Sequence, residues 1–168
     1  MSDTLFIRAA RPTDLPEIDA LLARSYPVLL KNAYPPSTLV TAVPLISKAQ
    51  PRLIASGTYF VVSDDRQIVG AGGWTRALPG SWARGGSTVG NIRHVVTDHR
   101  QARRGIGRKL MSHIIKSARQ GGMTQLDCFS TLMAEPFYAA CGFETVAPMS
   151  VSLAPGIDFP AIRMQMTL

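Results

Sequence analysis

Arg103-Arg104-Gly105-Ile106-Gly107-Arg108-Lys109-Leu110 sets four cations and two glycines at the head of a segment with helical periodicity. Ile106, Leu110, Met111, Ile114, Ile115 and Ala118 fall on one face, Arg108, Lys109, Ser112, His113 and Lys116 fall on the other, and Gly121-Gly122 supplies the stop. A helix N-terminus carries about half a positive charge and several unpaired N–H groups, so cations there are disfavoured by roughly a few tenths of a kcal/mol each. A bound anion would offset them. Glycine at 105 and 107 lets backbone N–H groups approach such an anion without a Cβ in the way.

Outward from this loop, Ile92-Arg93-His94-Val95-Val96-Thr97 reads as a strand before the helix and Gln125-Leu126-Asp127-Cys128-Phe129 as a strand after it, which makes a β-α-β unit. Upstream, residues 5 to 9 read as a strand and Pro12-Thr13-Asp14 opens a helix with Ile18, Leu21, Leu22 and Tyr26 at helical spacing. A second helical stretch with Leu39, Val43 and Ile46 carries Pro44 and Pro51 as interruptions. Thr58 to Val62 and Gln67 to Trp74 form a hairpin about Ser63-Asp64-Asp65-Arg66. Residues 75 to 90, with Pro79-Gly80, Gly85-Gly86 and Gly90 around Trp82 and Arg84, have the composition of a mobile, functional loop. A short helix from about Ala134 to Ala140 precedes strands at Phe143 to Leu153 and Ala161 to Leu168, joined at Pro155-Gly156.

The chain of 168 residues, 46% hydrophobic and 17% charged, has the size and core of one domain, residues 1–168. With no apolar run long enough to span a membrane and no signal-peptide pattern at Met1-Ser2-Asp3-Thr4, the expected location is cytoplasmic. Cys128 and Cys141 are expected as reduced, small core residues, and His94, His99 and His113 lack the spacing of a metal site, so no metal is expected. The net charge of +7 suits nucleic acid, an anionic membrane or a polyphosphate ligand. Clustering of Arg100, Arg103, Arg104, Arg108 and Lys109 beside an acidic Asp14-Leu15-Pro16-Glu17-Ile18-Asp19 favours one local anion site over a basic coat.

A Walker loop needs Lys directly after its last glycine, where Arg108 stands, and a dinucleotide fingerprint needs a third glycine where Leu110 stands. A second segment, Ala134-Glu135-Pro136-Phe137-Tyr138-Ala139-Ala140-Cys141-Gly142-Phe143-Glu144, adds the missing specificity. Together the two segments resemble the GNAT superfamily of acetyl-CoA-dependent N-acetyltransferases, most strongly over residues 91 to 145. The resemblance implies an α+β fold with a central mixed, mostly antiparallel sheet flanked by helices. It also implies transfer of an acetyl group from acetyl-CoA to a primary amine by direct attack in a ternary complex. Carried over, Val95, Val96 and Thr97 would line the pantetheine arm, and Arg103, Arg104, Gly105, Ile106, Gly107 and Arg108 would hold the pyrophosphate. Ala102 and Thr131 depart from the family pattern at two contact positions.

By the same resemblance Tyr138 is the acid that protonates the departing thiolate. A phenol with a reference pKa of about 10 is protonated at neutral pH and suits that role. The N–H of Val95 is the expected donor to the thioester carbonyl. Asn91 stands where some relatives carry a carboxylate, which leaves water-relayed deprotonation with His94, Glu17 and Glu135 as unranked base candidates. Trp82 and Arg84 read equally as an acceptor cover and as surface residues. Partners reduce to a small-molecule or peptide amine, with no membrane and no nucleic acid, and a homodimer is compatible with the sequence. The competing readings are a basic nucleic-acid-binding module, which lacks interleaved aromatics or a helix-turn-helix pattern, and a non-catalytic acyl-CoA sensor.

Overall fold

The computed structural model describes residues 4–76, 88–101 and 103–168, so Trp82, Arg84 and Ala102 lie outside the described residues. Strands β1 (Phe6–Ala9), β2 (Tyr59–Ser63), β3 (Ile68–Thr75), β4 (Val89–Thr97), β5 (Gln125–Ser130), β6 (Glu144–Ala154) and β7 (Ile157–Thr167) form one sheet in the order β1-β2-β3-β4-β5-β7-β6. Every neighbouring pair is antiparallel except β4 and β5. The β-α-β unit read around the glycine loop is this parallel pair, crossed over by α4 (Ile106–Gln120).

Helices α1 (Leu15–Leu30), α2 (Pro36–Ile46) and α3 (Pro51–Ile54) cover one face, burying Ile18, Leu21, Leu22, Leu53 and Ile54 against Tyr59, Val61 and Ala71. Helix α4 and the short α5 (Glu135–Ala140) cover the other, where Ile106, Leu110, Met111, Ile114, Ile115 and Ala118 meet Phe60, Val62 and Val69. The buried face of α4 is the face its periodicity predicts. Pro44 falls in the last turn of α2 and does not break it, and Pro51 begins α3 at the first helical position, where its missing N–H costs nothing.

Strand β4 departs from expectation in beginning at Val89 rather than near Ile92. Gly90 and Asn91 resemble turn residues in sequence, yet a Cβ on Gly90 would lie 3.0 Å from Leu126 and 3.2 Å from Trp74, so strand packing claims that position. Strand β7 likewise begins at Ile157, four residues earlier than expected, and carries Pro160 within it.

The acidic N-terminal residues are structural. Asp14 receives two bonds from Arg8, at 2.7 and 2.9 Å, and Asp19 receives the Ala49 N–H at 2.7 Å. Buried Asp98, just past β4, accepts from Arg24 of α1 at 3.2 Å and from Arg100 at 2.8 Å, pinning α1 to the turn that enters the glycine loop. These partners, Arg100 first, hold its carboxyl well below the usual carboxylate range. A depressed folded-state pKa gives stability that is present above the unfolded value of about 4 and lost as pH falls below it. Asp98→Asn should therefore destabilise by about 2 kcal/mol at neutral pH, discounted for the half-exposed Arg100, and by much less in acid. Denaturant titrations of both proteins across acidic and neutral pH check this; equal losses at both ends would contradict it.

Candidate functional site

Strands β4 and β5 pair at only three positions, Val89 with Gln125, Gly90 with Leu126 and Asn91 with Asp127. From Ile92 and Cys128 onward they diverge, so the side of β4 that faces β5 has no ladder partner there. Opposite the divergence β4 carries a bulge: Ala71 pairs with Val96 and Gly73 with Arg93, so two steps of β3 face three of β4. The extra residue falls at His94, whose φ of 44° lies in the left-handed region that side chains other than glycine rarely adopt.

Three contacts hold this conformation. The phenol of Tyr59, which is buried, donates to the His94 carbonyl at 3.0 Å, and burial raises its pKa so that it stays a donor. The Gln50 side chain accepts from Arg93 at 3.4 Å through Oε1 and lies 3.2 Å from His94 Nε2 through Nε2. Since Gln50 Nε2 can only donate, His94 Nε2 is the acceptor, and the imidazole is neutral with its proton on Nδ1. Burial first, then Arg93, lowers the His94 pKa to about 4. Arg93 itself donates to Thr75 Oγ1 at 3.0 Å. Because the His94–Val95 peptide is trans and planar, fixing its carbonyl on Tyr59 points the Val95 N–H the opposite way.

Val95 lines a cavity of about 660 Å³ that opens where the strands part. The other residues assigned to the donor site from sequence meet in the same cavity: Val96, Thr97, the stretch 103–108 and Tyr138 all line it. Gly105 caps α4 at φ 74° and Arg103 stands at φ 67°, so the loop turns through two left-handed residues and presents the first turn of α4 to the cavity. Arg104 bonds Gln101 at 2.7 Å and lies 3.6 Å from Asp64, while Arg103 and Arg108 are exposed. A Cβ on Gly107 would lie 2.9 Å from the Phe137 ring, whereas one on Gly105 meets nothing within 4 Å. Gly107 therefore serves α4–α5 packing as well as the loop, and Gly107→Val would displace Phe137, the neighbour of Tyr138.

Tyr138 on α5 is buried between the ring edges of Phe137, 5.2 Å away, and Phe143, 5.6 Å away. Its phenol faces the Cys128 thiol of β5, and burial, followed by Cys128 and Tyr26, raises its pKa well above the usual phenol value. Burial pushes the Cys128 thiol up to about 12, so this cysteine is a neutral part of the cavity wall.

The three base candidates separate. Glu17 accepts the Ile68 N–H at 2.7 Å and Glu135 accepts Thr145 Oγ1 at 3.1 Å; neither lines the cavity, and His94 does. Tyr26, Tyr59 and Gln50 were not legible as site residues. Tyr59 looks like any strand aromatic, and Tyr26 and Gln50 reach the site only through the packing of α1 and the chain before α3.

The family model of the acetyltransferase (GNAT) domain matches residues 55–145. The fold is similar to that of PaiA N-acetyltransferase from Thermoplasma acidophilum, solved in complex with coenzyme A, with a TM-score of 0.73 at 12% identity over 98% of this chain and 99% of that one. A GCN5-related N-acetyltransferase from Rhodopseudomonas palustris gives a TM-score of 0.76 at 18% identity, covering 100% and 98%. A probable glucosamine 6-phosphate N-acetyltransferase from Oryza sativa subsp. japonica is 37% identical over 62 residues, which span 36% of this chain and 36% of that relative. The structural likenesses are of fold, and the family match covers more than half of the sequence, bounded by the turn before β2 and the start of β6. The chain belongs to the acetyltransferase (GNAT) domain family.

Proposed function

We propose that this protein transfers an acetyl group from acetyl-CoA to a primary amine by direct attack within a ternary complex. One observation carries the reading: a single cavity joins the cationic glycine loop, the Val95 peptide held on Tyr59, and the buried phenol of Tyr138. Structures of family members with coenzyme A bound support the choice of donor.

The loop at 103–108 offers backbone N–H groups and the exposed Arg103 and Arg108 to the pyrophosphate. The edge of β4 left open at Val95, Val96 and Thr97 accepts the amide-bearing pantetheine arm as a short added strand, taking the place that β5 has vacated. The Val95 N–H, aimed by Tyr59, bonds the thioester oxygen and stabilises the charge that grows on it as the amine nitrogen attacks the carbonyl carbon. As the C–N bond forms and the C–S bond breaks, Tyr138 supplies a proton to the sulfur. The proton lost by the amine leaves through water, because a His94 pKa lowered to about 4 makes its neutral imidazole too weak a base to take it.

Acetyl-CoA at about a hundredfold excess over its dissociation constant should stabilise the protein by about 2.7 kcal/mol, read as a thermal shift. No shift with acetyl-CoA, but one with a short DNA or RNA, would refute the reading. Tyr138→Phe should keep that shift and lower kcat by about 10² to 10⁴. An unchanged kcat, in an assay limited by chemistry, would leave Tyr138 a packing residue.

Tyr59→Phe should keep the fold and the acetyl-CoA shift yet lower kcat by roughly tenfold or more, since the Val95 N–H loses its fixed aim while the donor itself remains. A change confined to KM would show that Tyr59 acts on binding instead.

Neither His94 nor Tyr138 changes charge near neutral pH. The pH profile of kcat/KM should therefore follow the acceptor's own pKa, rising about tenfold per pH unit below it. A rising limb that stays in place when the acceptor is exchanged for one of different pKa would expose a protein base.

A further inference from the structure

Helix α1 lies on the face of the sheet opposite α4 and α5, and residues of all three helices line the same cavity, so the cavity passes through the sheet where β4 and β5 part. Its two ends differ in chemistry. The α4 end carries Arg103, Arg104 and Arg108. The α1 end is lined by Tyr26, Leu29, Leu30, Phe129, Thr131 and Met133, with His94 at its floor, and no lysine, arginine, aspartate or glutamate lines it among the described residues.

The nearby carboxylates are committed elsewhere: Asp98 to Arg24 and Arg100, Asp127 to Gln125 at 2.7 Å and Arg163 at 3.4 Å, Glu17 to the β3 backbone. An ammonium entering this end would lose its hydration and gain no counter-charge from the described lining residues. A phosphate on the acceptor would likewise meet no cation among the described residues that line this end. An apolar body instead gains free energy in proportion to the surface it buries there. The wall is also preformed: Tyr34, stacked on Phe159 at 4.5 Å, donates to the Pro160 carbonyl at 2.7 Å and accepts the Leu132 N–H at 3.0 Å, which fixes the turn that carries Met133.

We propose that the α1 end takes the acceptor, and that the acceptor is a primary amine on an apolar body, an arylalkyl or alkyl amine, reacting as the neutral base. The assignment rests on the acetyl-transfer reading and names the substrate class of that site. Tyr26 and His94 face the incoming amine from α1 and from the β4 bulge, and both are uncharged at neutral pH.

Thiol release from acetyl-CoA should be compared for 2-phenylethylamine, n-hexylamine, glucosamine 6-phosphate and glutamate, beside the acetyl-CoA thermal shift of the same protein. The apolar amines should be preferred in kcat/KM by about tenfold or more. Leu29→Lys, at the half-exposed rim of this end, should erase that preference and leave the acetyl-CoA shift unchanged. Preference for the sugar phosphate or glutamate, equal rates for all four, or no turnover of any amine by a protein that still shows the shift would each overturn the proposal. Tighter binding of octanoyl-CoA than of acetyl-CoA, lost in Leu29→Lys, would give this end to the acyl chain and overturn it too. Absence of the shift would instead count against acetyl transfer itself.

Discussion

The hydrogen bond from the Tyr59 phenol to the His94 carbonyl fixes the peptide on which the site is built. A bulge places one extra residue in β4 and forces His94 to a φ of 44°, a conformation that costs of order 1–3 kcal/mol unless its surroundings hold it. Tyr59 and Gln50, both drawn from the opposite side of the sheet to α4, supply that hold. The Val95 N–H thereby points away from Tyr59, and past Asn91 the β4 edge is unpaired beside the cavity.

The surrounding charges divide the work. Buried Asp98 gathers the part-exposed Arg24 and Arg100 at the turn that enters the loop, while Arg103 and Arg108 stay exposed at its rim. Arg93 lies under the bulge, where it helps keep His94 neutral. The interior of the cavity, from Cys128 to Tyr26, is consequently uncharged at neutral pH. A ligand that displaces water from such an interior would strengthen each backbone and phenol hydrogen bond made within it.

The glycine loop and the tyrosine segment of the candidate site were legible in the sequence because each depends on local chain. The glycines, the cations and the apolar stripe of α4 all sit within one contiguous segment, and Tyr138 lies in a segment of recognisable spacing. The mixed sheet was implied by the family resemblance, with which the order of strands and helices agrees. Three things were not legible. Strand β4 was read three residues short because Gly90 and Asn91 carry turn signals that tertiary packing overrides. The bulge is invisible because His94 is an ordinary strand residue in sequence and the extra step exists only relative to β3. Tyr26, Tyr59 and Gln50 join the site through contacts that span 35 to 44 residues or cross the sheet, which no local pattern encodes.

The Val95 amide reports on this arrangement directly. Its ¹⁵N–¹H chemical shift, followed by NMR through titration with acetyl-CoA and separately with CoA, compares two ligands that differ only at the thioester. Both should move the amides of Gly105 and Gly107, and acetyl-CoA alone should move the Val95 proton downfield, as expected for a new hydrogen bond to the thioester oxygen. A Val95 resonance that responds identically to the two ligands, while the loop amides show both to be bound, would contradict the role assigned to the bulge.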